Sequence, residues 1–241
     1  MSVDGMGRSP RRQPEALTES FAMLDLVIKS RRGRTRILCL GAHCDDIEIG
    51  CAGSLLVLQQ RANVTIDWVA MSGSPERRAE TRDAMRAIVR PAARGKLYFG
   101  DFPDGRFPNE YAGMKAFIEG VKTELKRTDV VLTHEKDDRH QDHRLVNELT
   151  WNTFRDQVVL EYEIPKWDGG LGQPNVYVPV TAGQAKAKID ILLSAHKSQR
   201  RRDWFTRETF MALLRLRGIE CRSPSGYAEA FHGRKLRVAG F

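Results

Sequence analysis

The chain has 241 residues, of which 41% are hydrophobic and 29% are charged, and its formal net charge is +8. This length and composition are typical of a soluble globular protein with one full-sized core, and no apolar run approaches the roughly 20 residues that span a bilayer, so we expect no transmembrane segment. The positive excess lies in residues 1–36 and 186–241, whereas residues 37–185 are slightly acidic, which argues against a nucleic-acid groove.

The N-terminal residues 1–15, MSVDGMGRSPRRQPE, are rich in Arg, Pro, Gly and Ser, and we expect them to form a disordered tail. They lack the apolar segment of a secretory signal, so we expect a cytoplasmic location. Residues 16–241 are predicted to form a single α/β domain that begins with a helix over 16–30. The four cysteines show no CxxC spacing and are interpreted as reduced thiols: Cys39, Cys44, Cys51 and Cys221.

After that helix, short apolar segments alternate with amphipathic ones. The predicted strands cover residues 37–41, 63–73, 96–102, 129–134, 158–164 and 175–180. The predicted helices cover the segment around Leu55 to Leu58 and residues 76–89, 112–125, 142–156 and 184–217. This alternation predicts a Rossmann-like α/β fold with a mostly parallel sheet and helices on both faces. Ligands of such folds bind beyond the carboxyl ends of the strands.

The stretch GAHCDDIEIGCAG, residues 41–53, follows the first predicted strand directly. It places Asp45 and Asp46 side by side, and adjacent carboxylates repel each other unless a cation or a proton compensates them. The sequence therefore predicts a positive group at this turn.

A second polar cluster, THEKDDRHQDHRLV at residues 133–146, follows the predicted strand 129–134. If the two strands lie near each other, His43, Asp46 and His143 supply two imidazoles and one carboxylate and leave a position open. That is the ligand set of a catalytic zinc site. Iron(II) accepts the same ligands, whereas histidines are poor ligands for magnesium.

The remaining polar residues of the two clusters then have roles in hydrolysis. We expect Asp45 to act as general base on the metal-bound water. A protonated His140 would stabilise the oxyanion and give a proton to the leaving amine. Asp142 would hold His140 in orientation.

The two clusters carry the motifs of a known family. Residues 42–47, AHCDDI, and residues 140–143, HQDH, resemble the AHPDDE and HxDH-type signatures of the PIG-L (LmbE-like) family of zinc-dependent N-deacetylases. The resemblance covers most of residues 36–235, including PDG at 103–105 and YAEAF at 227–231.

The resemblance implies a metal-dependent deacetylase with its family's site residues at matching positions. These are His43, Asp46 and His143 as zinc ligands, Asp45 as base, and His140 as acid or oxyanion stabiliser. Two positions depart from the family pattern, because Cys44 replaces the usual proline and Ile47 replaces the usual glutamate. Cys44 is interpreted as a buried thiol that points away from the metal.

Members of this family mostly deacetylate an N-acetylglucosamine unit carried on a lipid, a thiol precursor, a nucleotide or an antibiotic scaffold. The resemblance therefore implies a small amino-sugar substrate with an anionic or lipid aglycone among the options. Asp104 would bind a sugar hydroxyl, and Arg78 would bind a phosphate or another anion. Trp167, on a rim loop, would stack on a sugar face, while Tyr227 and Glu229 would close over the substrate.

Each of these substrate contacts has a simpler alternative. Asp104 is equally well explained as a turn residue, Arg78 as part of a solvated helix face, and Trp167 as a packed side chain. The charged segment HKSQRRRDWF at 196–205 is likewise interpreted as a solvated helix face.

The function predicted from these residues is zinc-dependent removal of an N-acetyl group from an N-acetylglucosamine-type sugar or its conjugate. One alternative is an amidase that uses the same metal site on a larger sugar conjugate. Another is a non-catalytic Rossmann-like binding module, but GAHCDD is not the glycine-rich phosphate loop that such a module requires. A nucleic-acid-binding protein conflicts with the acidic middle of the chain. The oligomeric state is left open, a homo-oligomer included.

Overall fold

The computed structural model describes residue 27, residues 33–60 and residues 63–237. Its strands are β1 (Thr35–Gly41), β2 (Val64–Ala70), β3 (Arg94–Phe99), β4 (Val130–His134), β5 (Val158–Tyr162), β6 (Val176–Pro179) and β7 (Ala228–His232). Its α-helices are α1 (Asp46–Leu58), α2 (Pro75–Ile88), α3 (Tyr111–Leu125), α4 (Gln141–Thr153), α5 (Ala182–Ala195) and α6 (Arg207–Glu220). The predicted tail, 1–15, lies outside the described residues, as does the predicted helix 16–30 apart from residue 27.

The strands form one sheet in the order β3-β2-β1-β4-β5-β7-β6. The strands from β3 to β5 are parallel, whereas β7 is antiparallel to both β5 and β6. The prediction of an α/β fold with a mostly parallel sheet is therefore confirmed. β7 has no counterpart among the predicted strands, because its sequence AEAFH is short and its polar residues interrupt the apolar pattern.

Helices cover both faces of the sheet. Along β1, Ile37 and Cys39 point into a core covered by α1, α2, α5 and α6. Leu38 and Leu40 alternate with them and point into a core covered by α3 and α4. Because successive side chains of a strand face opposite sides, a strand buried on both faces is apolar throughout, as ILCL is.

The direction of the connections changes between two neighbouring strands. β1 leads into α1 on one face of the sheet, and β4 leads into α4 on the other. The two strands are hydrogen-bonded neighbours, with Cys39 opposite Leu132. Such a reversal opens a crevice at the carboxyl ends of the strands. The turn after β1 and the segment after β4 meet in that crevice.

The C-terminal helical region consists of two helices. α5 begins with a capping box, in which Thr181 and Gln184 satisfy each other's backbone N–H groups. α6 begins after Thr206, whose hydroxyl accepts a hydrogen bond from a backbone N–H of the first turn. The predicted helix 184–217 is therefore interrupted by the connection between them, residues 196–206.

The interpretation of HKSQRRRDWF as a solvated helix face is wrong about the helix, although the three arginines of the segment are exposed. Only residues 197–199 of this segment form a short 3₁₀ turn. His196 is completely buried, with its Nε2 3.0 Å from Glu48 Oε1, and Phe205 packs in the core. The two ends of the segment are therefore buried in the protein interior, and the arginines lie between them. No helix within residues 33–60 and 63–237 combines the length and apolar character needed to cross a bilayer.

Candidate active site

Three buried side chains meet at the crevice between β1 and β4. His43 Nδ1 lies 3.2 Å from Asp46 Oδ2 and 3.3 Å from His143 Nε2. His143 Nε2 lies 3.5 Å from Asp46 Oδ1. The two strand ends therefore bring together the three residues that the sequence singled out as metal ligands.

The spacing of these two ring nitrogens and the two Asp46 oxygens fits a bound metal. Tetrahedral zinc with bonds of about 2.0–2.1 Å separates its ligand atoms by about 3.3 Å. Within the described part of the chain, Asp46 Oδ1 has no hydrogen-bond partner although it is buried. Burial disfavours the charged carboxylate, but three neighbouring imidazoles outweigh this and hold the pKa of Asp46 well below its usual range. An ionised carboxylate with a free oxygen and two imidazole nitrogens is a donor set suited to zinc or iron(II).

A carboxylate fixes the orientation of His143. Asp138 Oδ2 lies 2.7 Å from His143 Nδ1, so Nδ1 carries the proton and Nε2 presents its lone pair to the cluster. Burial and the neighbouring His134 lower the pKa of His143 to about 3, which keeps the imidazole neutral. Asp138 was not among the predicted site residues. Its place two residues before His140, within KDDRHQDH, is the signal that identifies it.

Asp142 differs from its predicted role. Its carboxylate accepts hydrogen bonds from the backbone N–H groups of Gly105 (2.6 Å) and Phe107 (3.1 Å), and it lies 3.3 Å from His43 Nε2. It therefore holds the loop after β3 against His43. Asp142 contacts His140 through its backbone N–H, which donates to His140 Nδ1, and not through the carboxylate contact that the sequence predicted.

The contacts of His140 favour a neutral hydrogen-bond donor over an imidazolium. Its Nδ1 accepts a hydrogen bond from the backbone N–H of Asp142 (3.2 Å), which leaves the hydrogen on Nε2. Burial and the positive charges of His43 and Lys166 lower the pKa of His140 from its usual value. Its ring stacks on His143, with 4.6 Å between the centroids. The expected protonated form is therefore disfavoured.

The negative charges of Asp45 and Asp46 are compensated by different groups. Asp45 Oδ1 accepts a hydrogen bond of 2.8 Å from Arg77 Nη2, whereas Asp46 faces the histidines. Arg77 also lies 3.9 Å from Asp104. The residue predicted from the sequence was its neighbour Arg78, because an isolated sequence does not fix which of two adjacent helical residues faces a crevice.

An open cleft adjoins the cluster. Arg78 lies in it, donating hydrogen bonds to the backbone oxygens of Gly73 (2.8 Å) and Gly100 (2.7 Å) and pairing with Asp101. The lining residues are Ser72, Gly73, Ser74, Arg77, Arg78, Asp101, Phe102 and Asp104. Asp104 joins the cleft to the cluster, because its Oδ1 lies 3.0 Å from His43 Nε2 while its side chain is 61% exposed.

The other predicted substrate residues lie apart from this cleft. Trp167 is 61% exposed and donates from Nε1 to Asp203 Oδ1 at 2.8 Å. Tyr227 is half-buried, packs against the core, and has the guanidinium of Arg215 over its ring at 5.9 Å.

Glu229 is buried inside the protein, so the prediction that it closes over the substrate is wrong. It accepts hydrogen bonds from the backbone N–H groups of Gly53 (2.8 Å) and Ser54 (2.6 Å) in α1. The ammonium of Lys188 lies 2.6 Å from its carboxylate and also donates to the backbone oxygen of Ile49 at 2.5 Å. This pair joins α1, α5 and β7.

The two departures from the family signature leave the cluster intact. Cys44 is buried, and its thiol donates to the backbone oxygen of Ser72 at 3.2 Å. Burial raises the pKa of Cys44 to about 11, so it is a poor source of thiolate for a metal. Ile47 packs in the core, and Glu48 binds His196.

Comparisons with known proteins agree with these motifs. The profile of the family described as PIG-L: GlcNAc-PI de-N-acetylase matches residues 38–154, which confirms the predicted resemblance. The uncharacterized deacetylase YaiS of Escherichia coli (strain K12) is 29% identical over 184 residues, covering 71% of this chain and 96% of that protein.

Two solved structures share the fold at low sequence identity. N,N'-diacetylchitobiose deacetylase from Pyrococcus horikoshii superimposes with a TM-score of 0.64 at 18% identity, covering 83% of this chain and 84% of that one. The 4-carboxy-2-hydroxymuconate hydratase GalB from Pseudomonas putida KT2440 gives a TM-score of 0.66 at 14% identity, covering 86% of this chain and 99% of that one. Because one is named a deacetylase and the other a hydratase, the fold alone does not define the reaction.

Proposed function

We propose that this chain, whose residues 38–154 belong to the PIG-L family, is a metal-dependent hydrolase that removes an N-acetyl group from an N-acetylglucosamine-type sugar or its conjugate. The observation that carries the proposal is the convergence of His43, Asp46 and His143: His43 Nδ1 lies 3.3 Å from His143 Nε2, and the two Asp46 oxygens lie 3.2 Å from the first nitrogen and 3.5 Å from the second. The deacetylase named among its relatives supports the same reaction.

The proposed cofactor is zinc, with iron(II) as the alternative. His43 Nδ1, Asp46 and His143 Nε2 would hold it, and the hydrogen bond from His143 to Asp138 would orient one ligand. A metal held in this way acts as a Lewis acid toward a carbonyl group and increases the acidity of water.

Amide hydrolysis also requires a group that moves a proton from the attacking water to the leaving nitrogen. We propose that Asp45 takes a proton from the attacking water and returns it to the departing nitrogen when the C–N bond breaks. Its hydrogen bond to Arg77 holds the carboxylate in place. Because Nδ1 of His140 is occupied by a backbone N–H, His140 has one hydrogen to offer, on Nε2, and it orients the substrate by a neutral hydrogen bond.

The cleft beside His43 is the proposed binding site for the sugar and its aglycone. Asp104, which is exposed and touches His43, would accept a hydrogen bond from a sugar hydroxyl. Arg77 and Arg78 line the same cleft and favour an anionic group on the substrate. The free, buried thiols of all four cysteines support the proposed cytoplasmic location.

The first experiment is elemental analysis of protein prepared without added metal, followed by an acetate-release screen on N-acetylated sugars. We expect about one zinc or iron per chain in the wild type, its loss in His143→Ala, and its retention in the control His232→Ala. Absence of metal from the wild type even after reconstitution would overturn the proposal in favour of a non-catalytic binding module. Metal without acetate release, but with cleavage of a larger amide, would favour the amidase.

A further inference from the structure

We propose that Lys166 is a catalytic residue of this site, whose ammonium group binds the carbonyl oxygen of the scissile amide as that oxygen becomes negative. This inference rests on the proposed amide hydrolysis. Lys166 follows β5, and its Nζ lies 3.2 Å from His143 Nε2, the nitrogen that faces Asp46. The ammonium group is therefore directed into the cluster rather than toward solvent.

The charge of Lys166 is not neutralised by an acidic side chain. Within residues 33–60 and 63–237, no carboxylate oxygen lies within 4.0 Å of its Nζ. The side chain is half-buried, and its polar contact is with the His143 ring. A partly buried cation without a counter-ion is poorly stabilised until an anion arrives beside it. The site is thus prepared for a ligand that carries or develops negative charge.

The loop that carries Lys166 is anchored at both ends. Glu163 forms a two-point ion pair with Arg217, at 2.9 and 2.7 Å. Gly172, at the other end of the loop, donates its backbone N–H to Glu163 at 3.1 Å, and its carbonyl accepts from Arg217 at 3.1 Å. These four contacts fix the separation of the loop ends.

The residue after Lys166 is fixed on the outer side. Trp167 donates from Nε1 to Asp203 Oδ1 at 2.8 Å, and the guanidinium of Arg202 lies 5.5 Å from its ring centroid. Trp204 makes an edge-on contact with the same ring at 6.0 Å. With Trp167 held outward, the chain directs Lys166 inward, so the position of the ammonium group is a property of the loop.

The proposed reaction develops negative charge on the carbonyl oxygen, and a cation beside that oxygen stabilises it. Attack of water on the carbonyl carbon forms a C–O bond and moves an electron pair onto the carbonyl oxygen. That pair re-forms the C=O bond as the C–N bond breaks, and the amine leaves with the proton that Asp45 took from the water. Lys166 donates hydrogen bonds throughout and transfers no proton.

Acetate is the probe for this role, because it is the product and carries the negative charge on the same acyl oxygens. We would measure acetate binding to the zinc-loaded protein by titration calorimetry and determine zinc content in parallel. In Lys166→Gln and Lys166→Met we expect acetate affinity to fall about tenfold or more while about one zinc per chain remains. Lys166→Arg should retain most of the affinity. The control Lys136→Gln removes a lysine whose side chain is 48% exposed and should match the wild type.

With a sugar that releases acetate, Lys166→Gln should also lower kcat roughly 100-fold with a smaller change in KM. Equal acetate affinity in the wild type and both neutral variants, or no acetate binding to the zinc-loaded wild type, would overturn the role of Lys166. Failure of every N-acetylated sugar to release acetate from the wild type would instead overturn the proposed function. The two failures are therefore separate observations.

Discussion

The Asp138 carboxylate lies 2.7 Å from Nδ1 of His143, on the side of the imidazole opposite the nitrogen that faces Asp46. Such a carboxylate fixes the tautomer of a metal-binding histidine, and its loss typically weakens metal binding about 10–100-fold. We expect Asp138→Asn to show this loss when zinc affinity is measured by competition with a chelating dye. Asp137→Asn, at a side chain that is 74% exposed, is the matched control. Equal affinities in the two variants would contradict the assignment.

Removal of the proposed base should separate metal binding from catalysis. Asp45 contacts Arg77 rather than the ligand atoms, so Asp45→Asn should keep about one metal per chain. General bases contribute about 10²–10⁴ to a rate, and we expect acetate release to fall by that factor. Zinc content and acetate release measured on one preparation test this. Asp83→Asn, at a 70% exposed side chain outside the cleft, is the control, and full activity in Asp45→Asn would refute the role.

The sequence predicts the chemistry at each strand end better than the contacts between the strands. The apolar run ILCL followed by paired aspartates indicates both a buried strand and a charged turn. The three ligands come together because β1 and β4 are neighbours, which is a property of the sheet order and not of either motif. The choice between Arg77 and Arg78 depends on helix rotation of about 100° per residue, which a single sequence does not specify.

Glu229, which was wrongly predicted to contact the substrate, shows a further limit of prediction from the sequence. Glu229 lies in YAEAF, part of the family resemblance, and a charged residue there suggests contact with a substrate. Its partner Lys188 is 41 residues away in the sequence, so the buried pair is invisible without the fold. Asp138 is the opposite case, because it lies within the second cluster and is only five residues from His143 in the sequence.

The buried Lys188–Glu229 pair should contribute to stability and not to catalysis. Lys188→Met leaves the Glu229 carboxylate buried without its cation, and breaking such a pair costs about 3–5 kcal/mol. We expect a loss of that size in the free energy of unfolding measured with urea. Lys186→Met, on the same helix and 72% exposed, should change it by less than about 1 kcal/mol. A variant of unchanged stability but raised KM would support a substrate role for Glu229 instead.

The His196–Glu48 pair should make stability depend on pH. His196 Nε2 lies 3.0 Å from Glu48 Oε1, and its Nδ1 lies 3.9 Å from Glu80 Oε2. Burial opposes protonation, but Glu48, and more weakly Asp45 and Glu80, outweigh it and raise the pKa of His196 above its ordinary 6.5. A raised folded-state pKa gives stabilisation that is complete below about pH 6.5 and is lost as pH rises through the folded value. The melting temperature of the wild type should therefore fall over that pH range more steeply than that of Glu48→Gln. The control Glu76→Gln, at an exposed residue, should follow the wild type. Parallel curves for the wild type and Glu48→Gln would show that His196 is neutral in the fold.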